Sequence, residues 1–265
     1  MNNHQKNYTL KKQITDFKIV NKKVHNASYF AMTLQHPSTL PEIEAGQFVE
    51  VEIPGNKNVM LRRPISIHDV DIEKNQLTIL VQVVGKGTKT LSQMEVGETL
   101  NLVYPLGRGF SQEGKNVLLV GGGAGIAPML HLSKCLSDKG THCTILLGGR
   151  SAAMIPVQDE FRPYGDVYFA TEDGSLGEKG LVTQHSIFDA KYDHIYTCGP
   201  TPMMKAVAHH AMEKCIECEV SLENMMACGV GACLCCVVDS DDGHKCVCKE
   251  GPVFNIKNLK KFFQL

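Results

Sequence analysis

The sequence lacks the features of an exported or membrane-spanning chain. No apolar run approaches the roughly 18 residues that a bilayer-crossing helix needs. The N-terminal stretch Met1–Lys12 is polar and basic, and it has no apolar segment of the kind found in a secretory signal. We therefore expect a cytoplasmic protein that makes no contact with a membrane.

An excess of one charge is also missing. The net charge of the 265 residues is −1, so no overall field attracts nucleic acid or an anionic membrane. The sequence contains no internal repeat and no low-complexity linker, and its eleven histidines show no spacing typical of metal ligands. We expect no nucleic-acid partner, and a length that accommodates two modest domains.

Cysteine, by contrast, is abundant. Six of the eleven cysteines fall between Cys228 and Cys248. In a chain without an export signal, an odd number of cysteines indicates reduced thiols and metal ligands rather than a disulfide framework.

The densest stretch has the spacing C-x4-C-x2-C through Cys228, Cys233 and Cys236. Plant-type ferredoxins hold a [2Fe-2S] cluster with this spacing. Two glycines between the first two cysteines let the backbone curl around the sulfurs. Zinc is the alternative, but structural zinc sites favour paired knuckles. The pattern therefore favours a cluster that carries electrons one at a time.

The fourth ligand is either Cys246 or Cys248. The two are separated by one residue, so they would share a face of a strand and the spacing alone does not choose between them. The turn Glu250–Pro252 after Cys248 would end the loop, and for that reason we expect Cys248. Cys235 lies between the second and third ligands and is expected to point away.

The first hundred residues predict a small antiparallel β barrel, because short segments rich in Val, Ile, Thr or Tyr alternate with Gly, Pro and Asn clusters. One short helix is expected at Leu91–Glu95. The predicted strands are Gln13–Val20, Ser28–Leu34, Gln47–Ile53, Gln76–Val84 and Thr99–Tyr104.

Near residue 115 the pattern changes to strands alternating with helices, which predicts a parallel sheet with crossover connections. We expect a barrel domain over 1–112, an α/β nucleotide-binding domain over 113–223, and a cysteine module with a basic tail over 224–265. The predicted strands are Asn116–Val120, His142–Leu147, Val167–Ala170, His194–Thr197 and Val220–Leu222, and the helices are Pro128–Leu136 and Met203–Lys214.

Further motifs point to nucleotides. Gly121–Pro128 is a Gly-rich turn between a strand and a helix, where backbone N–H groups can hold a pyrophosphate. Arg63 with Ser66, and the turn Gly85–Thr88, suit phosphate, but an arginine pair by itself is more often a solvated face, and the turn could simply be a hairpin. Cys198 follows a parallel strand at the edge where open α/β sheets bind ligands, although a cysteine there is as often a buried small side chain.

Taken in order, these motifs resemble the ferredoxin–NADP reductase superfamily, which joins an FAD-binding barrel to a nicotinamide-nucleotide domain. The cysteine module, with Leu61–Ile67 and Cys248–Phe254, narrows the resemblance to the electron-transfer subunits of type B dihydroorotate dehydrogenases. It covers about residues 13 to 255. The more usual R-x-Y-S motif of the superfamily has Ile65 here in place of the aromatic residue, which would remove a stacking partner for the flavin.

The resemblance implies FAD and a [2Fe-2S] cluster as cofactors and NAD as co-substrate, with no residue needed as a general acid or base. The implied FAD residues are Arg63, Pro64, Ile65, Ser66, Leu80, Val81, Gln82, Gly87 and Thr88. The implied nicotinamide-nucleotide residues are Gly121, Gly122, Gly123, Ala124, Gly125 and Cys198. The implied cluster ligands are Cys228, Cys233, Cys236 and Cys248.

The resemblance also implies a relay in pyrimidine biosynthesis. A separate FMN-containing catalytic subunit would oxidise dihydroorotate to orotate. Electrons would pass singly through the cluster to FAD, and FAD would give a hydride to NAD+. The expected assembly contains two copies of each chain.

Several alternatives stay open. The small subunit of a ferredoxin-dependent or bifurcating NADP oxidoreductase, and a hydrogenase-linked diaphorase subunit, share the same plan. A zinc-stabilised interaction module on a nucleotide fold is the non-enzymatic alternative. Arg150-Ser151, after the second parallel strand, suits the 2′-phosphate of NADP, whereas the family resemblance points to NAD.

Overall fold

The computed structural model describes residues 12–55 and 60–264. Within these ranges the chain forms a closed barrel, a seven-stranded sheet and a separate two-stranded hairpin. The stretch Met1–Lys12 lies outside the described residues except for Lys12, and so does Leu265 at the end of the tail. None of the helices in the described part of the chain has the length and apolar character that crossing a membrane requires.

The predicted antiparallel barrel is confirmed. Its six strands close in the order β1-β2-β5-β4-β3-β6. Side chains alternate across each strand, so that Phe17 and Ile19 of β1 fill the interior and are fully buried. The strands are β1 (Gln13–Asn26), β2 (Tyr29–Gln35), β3 (Phe48–Val51), β4 (Arg63–Asp71), β5 (Gln76–Gln82) and β6 (Thr99–Leu106).

The strands predicted from the sequence omit β4. Pro64 lies in this segment and cannot donate a backbone hydrogen bond, which lowers the strand signal of the sequence. In the structure Pro64 is the second residue of β4, opposite Glu50 of β3, and the strand continues for seven further residues. The flavin motif Arg63–Ser66 therefore forms the beginning of a barrel strand.

The helix expected at Leu91–Glu95 is wrong. The helix α1 instead spans Lys86–Leu91 and begins within the motif Gly85–Thr88. The hydroxyl oxygen of Thr88 accepts the N–H groups of Val84 and Gly85 at 2.9 and 3.2 Å. This contact starts a helix where the glycines had also suggested a hairpin turn, because Thr88 at the third helical position accepts the N–H groups of the two residues before the helix.

The predicted parallel sheet with crossover helices is also confirmed. Its strand order is β10-β9-β8-β7-β11-β12-β15. The order reverses between β7 and β11, and open sheets of this class bind ligands at the carboxyl ends of the strands at such a point. The parallel strands are β7 (Asn116–Gly122), β8 (His142–Gly149), β9 (Asp166–Thr171), β10 (Glu178–Lys179), β11 (His194–Cys198) and β12 (Glu217–Ser221), and the helices are α2 (Ala127–Asp138) and α3 (Thr201–Glu213).

The cysteine module is hydrogen-bonded to both the barrel and the large sheet. Its hairpin consists of β13 (Val237–Ser240) and β14 (Gly243–Cys246), and the chain ends in the short helix α4 (Lys260–Phe263). Between them, β15 (Val253–Asn255) pairs antiparallel with β12 at the edge of the large sheet.

The residues just before β15 reach the barrel and the sheet together. The N–H of Arg108, which follows β6, donates to the carbonyl of Gly251 at 2.7 Å. The N–H of Leu222, which follows β12, donates to the carbonyl of Pro252 at 2.8 Å. The sequence prediction omits β15 because three residues carry too little periodicity to indicate a strand.

A polar network links the barrel to the nucleotide-binding half. Glu160 lies in the short 3-10 helix Gln158–Tyr164. Its carboxylate accepts a bond from Lys23 Nζ at 3.0 Å and lies 3.2 Å from Nε2 of His68. Burial opposes the charge of this carboxylate, but the bonds from His68 and Lys23 outweigh burial and lower the pKa of Glu160 to about 2.

The lowered pKa of Glu160 predicts a stability difference in acid. Unfolded, this carboxyl takes up a proton near pH 4.5, whereas in the folded protein it does so only near pH 2. Its stabilising contribution is therefore present above pH 4.5 and is lost as the pH falls from 4.5 to 2. Over this interval we expect the melting temperature of the wild type to fall more steeply than that of Glu160→Gln.

The matched control is Asp159→Asn. Asp159 is 88% exposed and pairs only with Arg162 among the contacts described, so its substitution should leave the slope unchanged. Parallel melting curves for wild type and Glu160→Gln would contradict the prediction.

Candidate functional site

The cysteine loop between β12 and β13 curls tightly. Gly229 and Gly231 have φ angles of +65° and +84°, and Leu234 has +58°, all in the left-handed region. A Cβ atom at Gly229 would lie 2.8 Å from Cγ of Glu50 and 3.0 Å from Leu106 of the barrel. The first glycine of the motif is therefore needed both for the curl and because the loop rests on the barrel wall.

Backbone N–H groups of the loop point at cysteine sulfurs. The N–H of Val230 lies 3.5 Å from Sγ of Cys228, and the N–H of Cys248 lies 3.4 Å from Sγ of Cys236. Hydrogen bonds of this kind stabilise thiolates and tune iron–sulfur clusters. These backbone N–H donors suit a metal group that is bound by negatively charged thiolates.

The pKa values of the first and last thiols of this set, Cys228 and Cys248, are shifted in opposite directions. Burial raises the pKa of Cys228, but the N–H groups of Val230 and Cys233 outweigh it and lower that pKa to about 6. Burial, the Cys236 thiol and its charge raise the pKa of Cys248 to about 12. Crowded thiolates repel one another unless a cation lies among them. This donor set fits an iron–sulfur group.

No group of three or more His, Cys, Asp or Glu side chains is arranged to hold a metal ion as the chain stands, over residues 12–55 and 60–264. The fit to a cluster rests on the sulfur donors, the N–H groups aimed at them and the shifted pKa values. Cys236 and Cys248 are each 1% exposed, whereas Cys233 is exposed and Cys228 half-buried, so the set spans the module from interior to surface.

The competing cysteines are arranged differently. Cys246 is the last residue of β14, opposite Val237, and its N–H donates to Glu250 Oε2 at 2.8 Å. Cys248 lies beyond the strand, so the two do not occupy one strand face as the spacing alone suggested. Cys235 is exposed.

The flavin motif divides between the two faces of the barrel wall. Ile65 and Val81 pack in the barrel core and are 9% and 2% exposed. A flavin contact with either residue would therefore involve its backbone. Pro64 and Ser66, on the alternate positions of β4, are half-buried on the outer face. Leu80 packs outward against the nucleotide-binding half.

Arg63 and α1 meet at the end of this strand. A Cβ atom at Gly87 would lie 2.9 Å from Nε of Arg63, so the glycine leaves room for the guanidinium group. That group donates only to the backbone carbonyls of Leu61 and Arg62 among the hydrogen bonds described. Arg62 is instead occupied by Glu52 at 2.8 Å and Asn101 at 2.6 Å. Among the described residues, Arg62 has a carboxylate partner and Arg63 has none, so Arg63 is the arginine of the pair that is free to bind a phosphate.

A cleft of about 570 Å³ opens at the carboxyl ends of the parallel strands. Gln82 of the barrel lines it together with the Gly-rich loop, Pro200 and Glu223. The strand β5, which is predicted to contact FAD, and the predicted nucleotide loop therefore meet in one cavity. Within the predicted loop, the structure places residues 122–125 in the cleft wall and Gly121 behind it, against Ile126.

The loop is packed too closely for side chains. A Cβ atom at Gly125 would lie 2.3 Å from the carbonyl group of Cys198, and one at Gly122 would lie 2.5 Å from Sδ of Met203. The Cys198 thiol itself is buried, and burial and the charge of Glu223 raise its pKa. Cys198 therefore supports the loop through its backbone, and its thiol is not positioned as a nucleophile.

Two residues of this region have no counterpart among the sequence predictions. Glu223 follows β12 and is open to solvent in the cleft, yet the cleft walls raise its pKa by desolvation. Tyr29 of β2 is fully buried, and its hydroxyl has no hydrogen-bond partner within the described residues. Burial and the nearby charge of Glu223 raise the pKa of Tyr29 to about 12. Of these two residues, only Glu223 could have been found from the sequence, because it follows the end of a parallel strand.

Comparisons with known proteins agree along the length of the chain. Residues 16–110 match the oxidoreductase FAD-binding domain, and residues 119–209 match the oxidoreductase NAD-binding domain. Residues 223–260 match the iron–sulfur cluster binding domain of dihydroorotate dehydrogenase B.

Similar proteins cover nearly the whole chain. The electron-transfer subunit of dihydroorotate dehydrogenase B (NAD(+)) from Bacillus cereus strain Q1 is 39% identical over 248 residues, which is 90% of this chain and 95% of the relative. The corresponding subunit from Shouchella clausii strain KSM-K16 is 40% identical over 225 residues, covering 80% and 85%.

Solved structures share the fold. An NADH-dependent reduced ferredoxin–NADP oxidoreductase superposes with a TM-score of 0.81 at 32% identity, covering 92% of this chain and 93% of the other. The ferredoxin reductase of carbazole 1,9a-dioxygenase has a TM-score of 0.67 at 19% identity, covering 78% and 68%, and shows the fold alone. By sequence identity, coverage and domain content, the chain belongs to the family of electron-transfer subunits of dihydroorotate dehydrogenase B, the family that its motifs resemble.

Proposed function

We propose that the chain takes electrons from a catalytic subunit that oxidises dihydroorotate to orotate and delivers them to NAD+ in pyrimidine biosynthesis. The observation that carries the proposal is the adjacency of three sites. The cysteine loop rests on the barrel wall at Glu50 and Leu106, and Gln82 of the flavin strand lines the same cleft as the nucleotide loop. When bound, the cluster supplies single-electron transfer and the flavin supplies hydride exchange with the nicotinamide.

The chain itself binds and orients these groups. Arg63 offers a charge-assisted bond to an FAD phosphate, and Gly87 leaves space for it beside the first turn of α1. Residues 122–125 line the cleft just before α2, and the free backbone N–H groups at the start of a helix favour a pyrophosphate. Glu223 lines the same cleft and would be covered by a nicotinamide bound there. No side chain is required to move a proton.

We assign the four cluster ligands to Cys228, Cys233, Cys236 and Cys248. The N–H of Cys248 lies 3.4 Å from Sγ of Cys236, whereas the N–H of Cys246 donates to Glu250. Cys246 is held in the hairpin ladder of β13 and β14. The support for Cys248 is therefore its direct contact with the third ligand.

We further propose that the partner is an FMN-containing dehydrogenase that assembles with this chain as two copies of each, in the cytoplasm. The side chains that favour docking at the cysteine loop are apolar and exposed: Met225 is 79%, Leu234 65% and Val230 41% exposed. A partner covering them would bring its flavin toward the cluster. All eleven cysteines are free, as suits a reducing compartment.

A second candidate function is the small subunit of an NADP-linked ferredoxin oxidoreductase. Arg150 lines the cleft and suits a 2′-phosphate, and one solved structure of that class superposes closely. Glu172 lines the same part of the cleft with a charge that opposes a phosphate, so we favour NAD.

The proposed division of labour predicts what the chain does alone. The purified protein, loaded with FAD and cluster, should reduce artificial acceptors with NADH and leave dihydroorotate unchanged, because the sites proposed within the described residues serve FAD, the nicotinamide nucleotide and the cluster. Co-expression with an FMN-containing dihydroorotate dehydrogenase should give a complex on size-exclusion chromatography that reduces NAD+ with dihydroorotate. Dihydroorotate oxidation by the chain alone would contradict the proposal, and ferredoxin-dependent NADP+ reduction would support the second candidate.

The ligand assignment predicts which cysteines are needed. Cys228→Ser, Cys233→Ser, Cys236→Ser and Cys248→Ser should each lose most of the about two iron atoms per chain. Cys235→Ser and Cys246→Ser should retain them, because those thiols are not ligands. Iron and sulfide analysis with electron paramagnetic resonance of the reduced protein measures this. A normal signal in Cys248→Ser together with loss in Cys246→Ser would reverse the assignment.

The arginine pair predicts a contrast in FAD affinity. Arg63→Ala should weaken FAD binding by about 10- to 150-fold, because it removes a charge-assisted phosphate bond worth about 1.5–3 kcal/mol. Arg62→Ala is the matched control and should change FAD affinity little, since Glu52 and Asn101 already occupy its guanidinium group. Flavin fluorescence titration of the apoprotein measures both. Equal losses in the two variants would contradict the role of Arg63.

A further inference from the structure

We propose that His68 is a positioning residue for hydride exchange between nicotinamide and flavin. It ties the first turn of α2, and with it the loop Gly121–Gly125, to the barrel strand that carries Arg63–Ser66. The inference rests on the proposed function, because it takes FAD and the nicotinamide nucleotide to bind at these two motifs.

The His68 ring is buried between the two halves of the molecule. It lies on β4, two residues after Ser66, and is 1% exposed. Its Nδ1 is 2.8 Å from the carbonyl oxygen of Ala127, the first residue of α2. Its Nε2 is 3.2 Å from the Glu160 carboxylate. Both partners are acceptors, so the ring makes the two bonds together only with a hydrogen on each nitrogen.

The contact between His68 and Ala127 lies two residues after the end of the nucleotide loop. The loop runs directly into α2, and Gly125 packs so closely on the backbone of Cys198 that a Cβ atom there would lie 2.3 Å from its carbonyl group. A displacement of the nucleotide-binding half relative to β4 would therefore shift the first turn of α2 and, with it, the loop. Hydride transfer needs reacting atoms about 3–3.5 Å apart, and a displacement of about 1 Å can slow a reaction by about 100-fold.

Two other side chains on the same face of α2 make polar bonds to the barrel. His131 Nε2 lies 3.3 Å from the carbonyl oxygen of Ile43. Lys134 Nζ donates to Asp69 Oδ1 at 3.0 Å and to the carbonyl of Val70 at 2.9 Å. Ala127, His131 and Lys134 are spaced i, i+4 and i+7, which places them along one side of the helix. Lys134 lies about 10 Å further along the helix than Ala127, so its bond holds the far end of α2.

The test separates the two bonds of the ring. In His68→Asn the amide N–H₂ takes the place of Nδ1 and can still donate to Ala127. In His68→Gln the longer side chain takes the place of Nε2 and reaches Glu160 instead. We expect His68→Gln to slow flavin reduction by NADH in stopped-flow by about 10- to 100-fold, with the Kd for NADH changed by less than about 3-fold. We expect His68→Asn to stay within about 3-fold of the wild-type rate.

A second measurement does not depend on activity. Hydrogen exchange of the backbone amides of residues 124–131, followed by mass spectrometry on the chain without FAD, should accelerate at least about 10-fold in His68→Gln but not in His68→Asn. Lys134→Met is the matched control, since it removes the polar contacts between α2 and the barrel at the far end of the helix. It should leave the rate of flavin reduction unchanged.

Each outcome decides the proposal. Equal slowing of flavin reduction by Lys134→Met and His68→Gln would show that the polar contacts between α2 and the barrel hold the two halves together with no special role for His68. That result would overturn the proposal. A loss of tenfold or more in His68→Asn would also overturn it, and this variant decides alone if His68→Gln does not fold. Failure of the wild type to be reduced by NADH would refute the proposed function, whereas the exchange measurement would still test the anchor.

Discussion

The structure depends on the pairing of segment Gly251–Asn255 with both other units. Its carbonyls accept N–H groups from Arg108 of the barrel and Leu222 of the sheet, and β15 adds a strand beside β12. Backbone bonds of this kind fix relative position more strictly than side-chain packing, because a shift by one residue would invert every neighbouring side chain. The cysteine module is thereby held at the junction of barrel and sheet.

Two of the buried polar groups that have no partner within the described residues lie near the predicted sites. Glu50 is 1% exposed, neither of its carboxylate oxygens has a partner within the described residues, and it touches the cysteine loop at Gly229. Burial raises the pKa of Glu50 to about 7. The unpartnered hydroxyl of Tyr29 lies in the charge field of Glu223 at the nucleotide cleft. Such groups cost stability, so Glu50 beside the cysteine loop and Tyr29 near Glu223 are candidates for contact with a bound group.

The sequence predicted the elements whose chemistry is local. The spacing of Cys228, Cys233 and Cys236 points to a cluster because ligand spacing along one loop is a property of the chain alone. The Gly-rich turn before α2 and the alternation of strands and helices gave the parallel sheet for the same reason. The helix α1 was predicted in the wrong place, since its start depends on the cap that Thr88 forms with Val84 and Gly85.

Taken by itself, the sequence determined the order of the three units, the class of each, and the residue types that suit FAD, a nicotinamide nucleotide and a cluster. Only the tertiary structure decided which side chains share a site. Gln82 and the nucleotide loop meet in one cleft, His68 meets Ala127 and Glu160, and Arg63 rather than Arg62 is left without a carboxylate partner. These pairs are far apart along the chain, and local periodicity carries no information about contacts that arise when a barrel and a sheet pack together.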